Sequence, residues 1–306
     1  MPATESDPTL TDAVMPDHDS GATAAATPAA VAGESLSSSE QHPLVGAVIG
    51  DKYAIEGVVH RGRRTDVFVA TQTLNLTSRQ VALKIPHDLS IESAEILARE
   101  AGVLSVIDHP NVVNMRDVGT DDRCAYLALE PLVGETLAER IEAEGPLSAA
   151  EALAVFWQVL AGLRAVHEAG VVHRDLRPRN VFIEARDDKA PLVWLIDFAT
   201  ARFVRPDHPD AKVEPPYPVG AHRYMAPEQH RGEESGPWVD IFATGVMLYA
   251  ALANELPEPG VKLSERAGTP HELDDVIASA TAEDPTARYA SALDFQDALT
   301  RALLVG

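Results

Sequence analysis

Three short stretches of this chain gather side chains able to handle a phosphate group. "HRDLRPRN", residues 173–180, holds a carboxylate, Asp175, and a carboxamide, Asn180, among three arginines. "IDFA", residues 196–199, offers a second carboxylate, Asp197, between apolar neighbours. "VALK", residues 81–84, ends an apolar run on Lys84, where an exposed lysine would not sit. Carboxylate and carboxamide oxygens suit hard divalent cations, and lysine or arginine suits phosphate oxygens. Phosphoryl transfer needs a base to orient a hydroxyl, a cation on the phosphates and metal ligands that neutralise developing charge. Residues of each type are present.

The elements that must position these groups are legible from periodicity. "YAIEGVV", "TDVFVATQ" and "RQVALKIP" alternate Val, Ile, Phe and Thr at period two between turn residues, so residues 50 to about 130 read as an antiparallel sheet. One amphipathic helix interrupts it: residues 90–107 place Ile91, Ala94, Leu97, Ala98, Ala101 and Leu104 at helical spacing. From about 135 onward helices dominate, the clearest opening on a Ser148/Glu151 capping box and stopping at Gly170. Between Asn180 and Thr200, two apolar runs flank a polar turn and read as a hairpin on the helical lobe. No internal repeat is present.

The net charge of -22 argues against nucleic acid or anionic membrane as a partner, since both demand clustered Lys and Arg. Residues 1–46 carry seven acidic side chains and no Lys or Arg, among repeated Ala, Ser, Thr and Pro. They read as a disordered acidic tail. No basic region followed by an apolar one opens the chain, so a cytoplasmic location is expected. The most apolar run, residues 241–253, is 13 residues against the ~20 a bilayer requires, and reads as a buried helix. The single cysteine, Cys124, excludes an internal disulfide and a cysteine-built zinc site, and reads as a small buried hydrophobe.

"HRDLRPRN" resembles the catalytic loop of protein kinases, "IDFA" stands where their D-F-G belongs, "MAPEQ" matches A-P-E, and "VALK" matches the strand motif V-A-I-K. Four motifs in order, over residues 50 to 304, give a resemblance to bacterial protein kinases of the eukaryotic (Hanks) serine/threonine type. The fold it implies is α+β and bilobal: an antiparallel N-lobe sheet with one helix (about 47–130) and a mainly helical C-lobe (about 131–304). The cofactors implied are ATP and Mg²⁺ or Mn²⁺. By the same resemblance Asp175 orients the substrate hydroxyl, Asn180 and Asp197 hold the metal, and Lys84 contacts the α- and β-phosphates with Glu100 holding it. Gly62, Val67, Ala82, Leu129, Glu130, Leu132 and Phe182 contact the nucleotide. Leu104, Met115, His173 and Phe198 match the stacked side chains that link the lobes, Asp240 braces the catalytic loop, and Glu228 pairs with Arg288.

Several positions depart from the family pattern. Aligned on Val67, the glycine-rich loop reads "HRGRRTDV", keeping Gly62 but placing His60 and Thr65 in the outer glycine positions. Arg61, Arg63 and Arg64 could bring side-chain charge to the phosphate instead, or form a solvated hairpin tip. Ala199 replaces the glycine after Phe198, where a left-handed backbone would cost roughly 1–2 kcal/mol and restrict flipping of Asp197. Arg177 replaces the lysine that touches the transferred phosphate, and Ala221 replaces its threonine partner. Arginine supplies the same charge, and Pro178 with the absence of a "KWMAPE" segment favours the serine/threonine type.

Residues 197–228 hold Thr200 beside the metal motif and no later Ser or Thr, so Asp207, Asp210 or Glu214 is expected to supply Arg174 with a standing negative charge, with Tyr217 a lesser candidate for modification. Residues 258–272 look too short for the relatives' substrate-docking helix. The leading expectation is a protein kinase acting on Ser or Thr of protein substrates, with the tail as an autophosphorylation target. The alternative is a weak or inactive pseudokinase acting as a nucleotide-binding or scaffold module, and a kinase of small metabolites is disfavoured by Arg174, the A-P-E segment and Arg288.

Overall fold

The computed structural model describes residues 42–186, 189–205, 208 and 223–304. The first lobe is one six-stranded antiparallel sheet in the order β1-β2-β3-β4-β6-β5. Its strands are β1 (Val48–Ile49), β2 (Tyr53–Arg61), β3 (Thr65–Thr73), β4 (Ser78–Pro86), β5 (Met115–Thr120) and β6 (Ala125–Leu129), with helix α1 (Ile91–Leu104) between β4 and β5. Alternate side chains of β3, β4 and β6 go to two different cores. Phe68, Val81, Leu83, Tyr126 and Ala128 fill an outer one, while Val67, Ala82, Leu127 and Leu129 join a larger core shared with the second lobe. Both faces are therefore covered, so β3, the second half of β4 and β6 are buried almost continuously rather than at alternate residues as a period-two strand with one wet face would be.

Helix α1 is capped by Ser90, whose hydroxyl accepts from Ser93 N at 3.1 Å. Its buried stripe is Leu97, Glu100, Ala101 and Leu104, while Ile91 and Ala98, expected on the packed face, are exposed. The helix is rolled so that a carboxylate, Glu100, faces inward toward Lys84, a constraint that apolar periodicity does not contain.

Residues 42–46, the end of the stretch expected to be disordered, instead form a turn over the outer core. Leu44 and Val45 supply apolar contacts, and the His42 ring packs edge-on against Phe68 at 4.8 Å. The rest of that tail lies outside the described residues.

The second lobe contains β7 (Glu135–Thr136), α2 (Leu137–Glu144), α3 (Ala149–Glu168), β8 (Val171–Val172), β9 (Val181–Arg186), β10 (Lys189–Leu195) and β11 (Arg202–Phe203), then α4 (Pro227–His230), α5 (Pro237–Ala253), α6 (Leu263–Ala267), α7 (Glu272–Ala280) and α8 (Ala292–Leu304). The Ser148/Glu151 capping box is formed, and Gly170, at φ +75°, ends the approach from α3. β9 and β10 pair as the expected hairpin. α3 is apolar and long enough to cross a membrane by length and composition, yet half of that stretch is buried within the fold. α5 is buried almost throughout. Between α5 and α7 stands only the five-residue α6.

Two contacts lock the architecture. Val113 N donates to Leu195 O at 3.0 Å and Leu195 N to Asn111 O at 2.8 Å, stitching the α1–β5 connection of the first lobe to β10 of the second. Arg288, buried, grips Glu228 through two hydrogen bonds of 2.6 and 2.9 Å and also donates to the carbonyls of Ala282, Trp238 and Glu283. Removing one partner leaves a buried uncompensated charge, so Arg288→Leu should lower unfolding free energy by about 3–5 kcal/mol, with Glu228→Gln added to Arg288→Leu recovering part of it. Urea denaturation of the three chains checks this.

Candidate active site

The cleft between the lobes is organised around Lys84. Its Nζ lies 2.9 and 2.7 Å from the two carboxylate oxygens of Glu100 and 2.9 Å from Asp197 Oδ1. Lys84, Glu100 and Asp197 are only 4, 1 and 8% exposed. Burial alone would lower the lysine's pKa, but the Asp197 and Glu100 carboxylates outweigh it and hold the ammonium charged. Glu100 Oε1 also accepts from Phe198 N at 3.3 Å, fastening α1 to the metal motif.

The catalytic loop is braced from below by α5. Asp240, fully buried, accepts from His173 N at 2.9 Å and from Arg174 N at 2.8 Å. Two side chains not singled out from the sequence complete the brace. His167, in the last turn of α3, lies 2.9 Å from Asp240 Oδ2. Gln229, in α4, donates to Arg174 O at 3.1 Å while its own Oε1 accepts from Ala226 N. The context "MAPEQ" was the available signal for Gln229. His167 belongs to no motif, and its contact with Asp240 joins positions 73 residues apart.

Two residues of the candidate site hold left-handed backbone, Arg174 at φ +71° and Asp197 at φ +62°. The strain expected at Ala199 falls instead two residues earlier, on Asp197. The Cβ of Ala199 therefore meets no left-handed penalty, and Asp197 is held by Lys84 and by Ala199 N, which donates to its Oδ1 at 3.4 Å. Thr200 Oγ1 donates to His173 O at 3.2 Å, and the His173 and Phe198 rings pack at 4.7 Å.

Asp175 and Asn180 stand beside this group. Asn180 Nδ2 donates to Asp175 O at 2.7 Å and Oδ2 at 3.2 Å. Asn180 Oδ1 and Asp175 Oδ1 remain buried without a hydrogen-bond partner. Burial raises the Asp175 carboxyl to about 6, a shift moderated by the guanidinium of Arg177, whose Nε lies 3.8 Å from Oδ2, and increased by Asp197. The orphaned Asn180 oxygen, with Asp197 carrying a surplus of negative charge on one shared lysine, fits a hard divalent cation. Among the described residues no three His, Cys, Asp or Glu side chains form a metal cage, so such a cation would draw its other ligands from phosphate or water.

Val67, Ala82, Leu129, Leu132 and Phe182 are all buried in one apolar cluster. Glu130 turns its carboxylate to Asn114 and Arg116, at 3.0 and 3.2 Å. Gly62 closes the turn between β2 and β3, its N donating to Thr65 O at 3.0 Å. A Cβ there would collide with that carbonyl, so the turn itself demands glycine. Arg61, Arg63 and Arg64 are exposed, and Arg64 reaches Glu92 of α1 at 3.6 Å. Asp207, Asp210, Glu214, Tyr217 and Ala221 lie outside the described residues, and the expected pairing of Arg174 lies there with them.

Comparison with known proteins gives the same direction. Residues 53–300 match the protein kinase domain. The chain is 33% identical over 217 residues to serine/threonine-protein kinase pkn3 of Myxococcus xanthus, covering 70% of this chain and 40% of that protein. It is 30% identical over 275 residues to serine/threonine-protein kinase PrkC of Bacillus subtilis, covering 83% of this chain and 41% of that protein. It is 29% identical over 270 residues to serine/threonine-protein kinase PknL of Mycobacterium tuberculosis, covering 82% and 65%. The match thus spans less than two thirds of each relative's length. With the buried lysine, its two carboxylates and the braced catalytic loop standing in one cleft, and with a domain match across most of its length, the chain belongs to the protein kinase family.

Proposed function

We propose that this chain transfers the γ-phosphoryl group of ATP to Ser or Thr hydroxyls of protein substrates. The observation that carries this reading is the assembled set Lys84, Glu100 and Asp197 beside an unencumbered Asp175 Oδ1. Lys84, charged and fixed, meets the α- and β-phosphates; Val67, Ala82, Leu129, Leu132 and Phe182 enclose the base. Asp175 Oδ1 accepts the hydrogen bond of the incoming hydroxyl and takes its proton as the new O–P bond forms and the bond to the β–γ bridging oxygen breaks. Arg177, 4% exposed and beside Asp175, puts a permanent charge where the transferred group gathers negative charge. A Mg²⁺ or Mn²⁺ ion on Asn180 and Asp197 would neutralise charge on the phosphates.

Incubated with labelled ATP and Mg²⁺, the purified chain should label a protein substrate, and Asp175→Asn and Asp197→Ala should lower incorporation by about 10²–10⁴-fold. Incorporation by the unaltered chain no greater than by these variants sinks the transferase reading, and nucleotide binding without transfer assigns a scaffold instead. Because Asp175 must be ionised to accept a proton and its carboxyl sits at about 6, kcat/KM should fall as pH drops through about 6. A pH–rate profile checks this. The eleven Ser and Thr of residues 1–46 are tethered to the site at high effective concentration, so autophosphorylation is expected there. Mass spectrometry that finds label only in residues 47–306 refutes it.

A further inference from the structure

Resting on the nucleotide site proposed above, we propose that His60 is a nucleotide-binding residue whose imidazole Nε2 hydrogen-bonds a phosphate oxygen, serving from a side chain the anion that glycine-rich relatives hold by backbone. β2 and β3 pair as Val58↔Phe68 and then as His60↔Val67, so one extra residue is inserted between those two pairs. Without that bulge His60 would stand opposite Asp66 and point to the outer face. With it, His60 shares the face of Val67, the kind of re-aiming that bulges produce beside binding sites.

The line continues across the sheet: Val67 is opposite Lys84, and Lys84 is opposite Leu127. Directly opposed residues project to the same face, so His60, Val67 and Lys84 form a row across the roof of the cleft. Two strand spacings put the His60 and Lys84 backbones about 10 Å apart, a gap that linked phosphates held by Lys84 can bridge. Val59, the other half of the bulge, packs against the interlobe core, which confirms the direction in which this segment faces.

The ring is suited to the role. His60 Nε2 is buried and has no hydrogen-bond partner. A buried polar atom without a partner costs roughly 1–3 kcal/mol, a penalty that a phosphate oxygen would remove. Arg179 of the catalytic loop, Glu139 of α2, Asp66 and Asp197 are the charged groups that act on the ring. Burial and then Arg179 lower its pKa, so the free ring is neutral and offers one N–H. Gly62 N is engaged in closing its own turn onto Thr65 O.

Binding of ATP, ADP and adenosine to the full chain in Mg²⁺, measured by calorimetry, tests the proposal with His60→Ala and His60→Gln. Melting of each chain without nucleotide establishes that it is folded. ATP and ADP affinity should fall about tenfold in His60→Ala and less in His60→Gln, which keeps an N–H donor, while adenosine affinity stays unchanged. Equal ATP affinity in the unaltered and His60→Ala chains overturns the proposal, as does an adenosine loss equal to that of ATP. An unaltered chain that binds no nucleotide overturns both this inference and the reading beneath it. His60-dependent ATP binding without phosphoryl transfer upholds this inference and removes only the transferase reading.

Discussion

One buried ammonium, Lys84 Nζ, is shared by two buried carboxylates, and this contact ties together the elements that form the cleft. Glu100 comes from α1, Asp197 from the segment after β10, and Lys84 from β4, so three separate elements meet at distances of 2.7 to 2.9 Å. Taking three ions from water is expensive, and only their close mutual pairing offsets it. That constraint explains the roll of α1, which buries Glu100 and exposes Ile91. It also leaves one unit of negative charge in excess, which is the electrostatic condition for admitting a divalent cation beside phosphate.

A second buried carboxylate, Asp240, plays the corresponding part beneath the catalytic loop. Arg174 sits in a left-handed conformation that costs a non-glycine residue roughly 1–2 kcal/mol. It persists because its N–H and C=O are both engaged, by Asp240 and by Gln229. The strain is thereby held beside Asp175, whose position depends on the same turn. Asp197 shows the same pattern, its strained backbone secured through its own side chain on Lys84. In both places the reactive group is oriented by a backbone that its neighbours over-determine.

The glycine-poor turn above the cleft presents side chains where a glycine-rich turn would present backbone alone. Gly62 survives where a Cβ would strike Thr65 O, while the neighbouring positions carry side chains. The inserted residue in β2 decides which of those side chains looks inward. The arginines stand out in solvent, and the imidazole of His60 is the group brought to the inner face.

Much of this was readable from the chain itself. Period-two strands, the Ser148/Glu151 capping box, the Gly170 stop and the four ordered motifs follow from local chemistry, because side-chain alternation, caps and left-handed glycines are properties of neighbouring residues. The candidate site was legible as a set of residue types, since Lys84, Glu100, Asp175, Asn180 and Asp197 stand at recognisable places in their motifs. Their distances were not, and neither was the exact inward stripe of α1: apolar spacing placed Leu97, Ala101 and Leu104 correctly but also put Ile91 and Ala98 inward, while Glu100, paired with Lys84, is buried instead. Residues 42–46 likewise read as tail because their few apolar side chains mean nothing until an outer core exists to receive them. The position of backbone strain, at Asp197 rather than Ala199, and the face taken by His60 were decided by contacts across more than one strand or lobe. The sequence by itself determined the elements and the chemical inventory, because those depend on near neighbours; only the tertiary structure decided which groups meet and which way they point, because register, bulges and buried charge pairing join residues far apart in the chain.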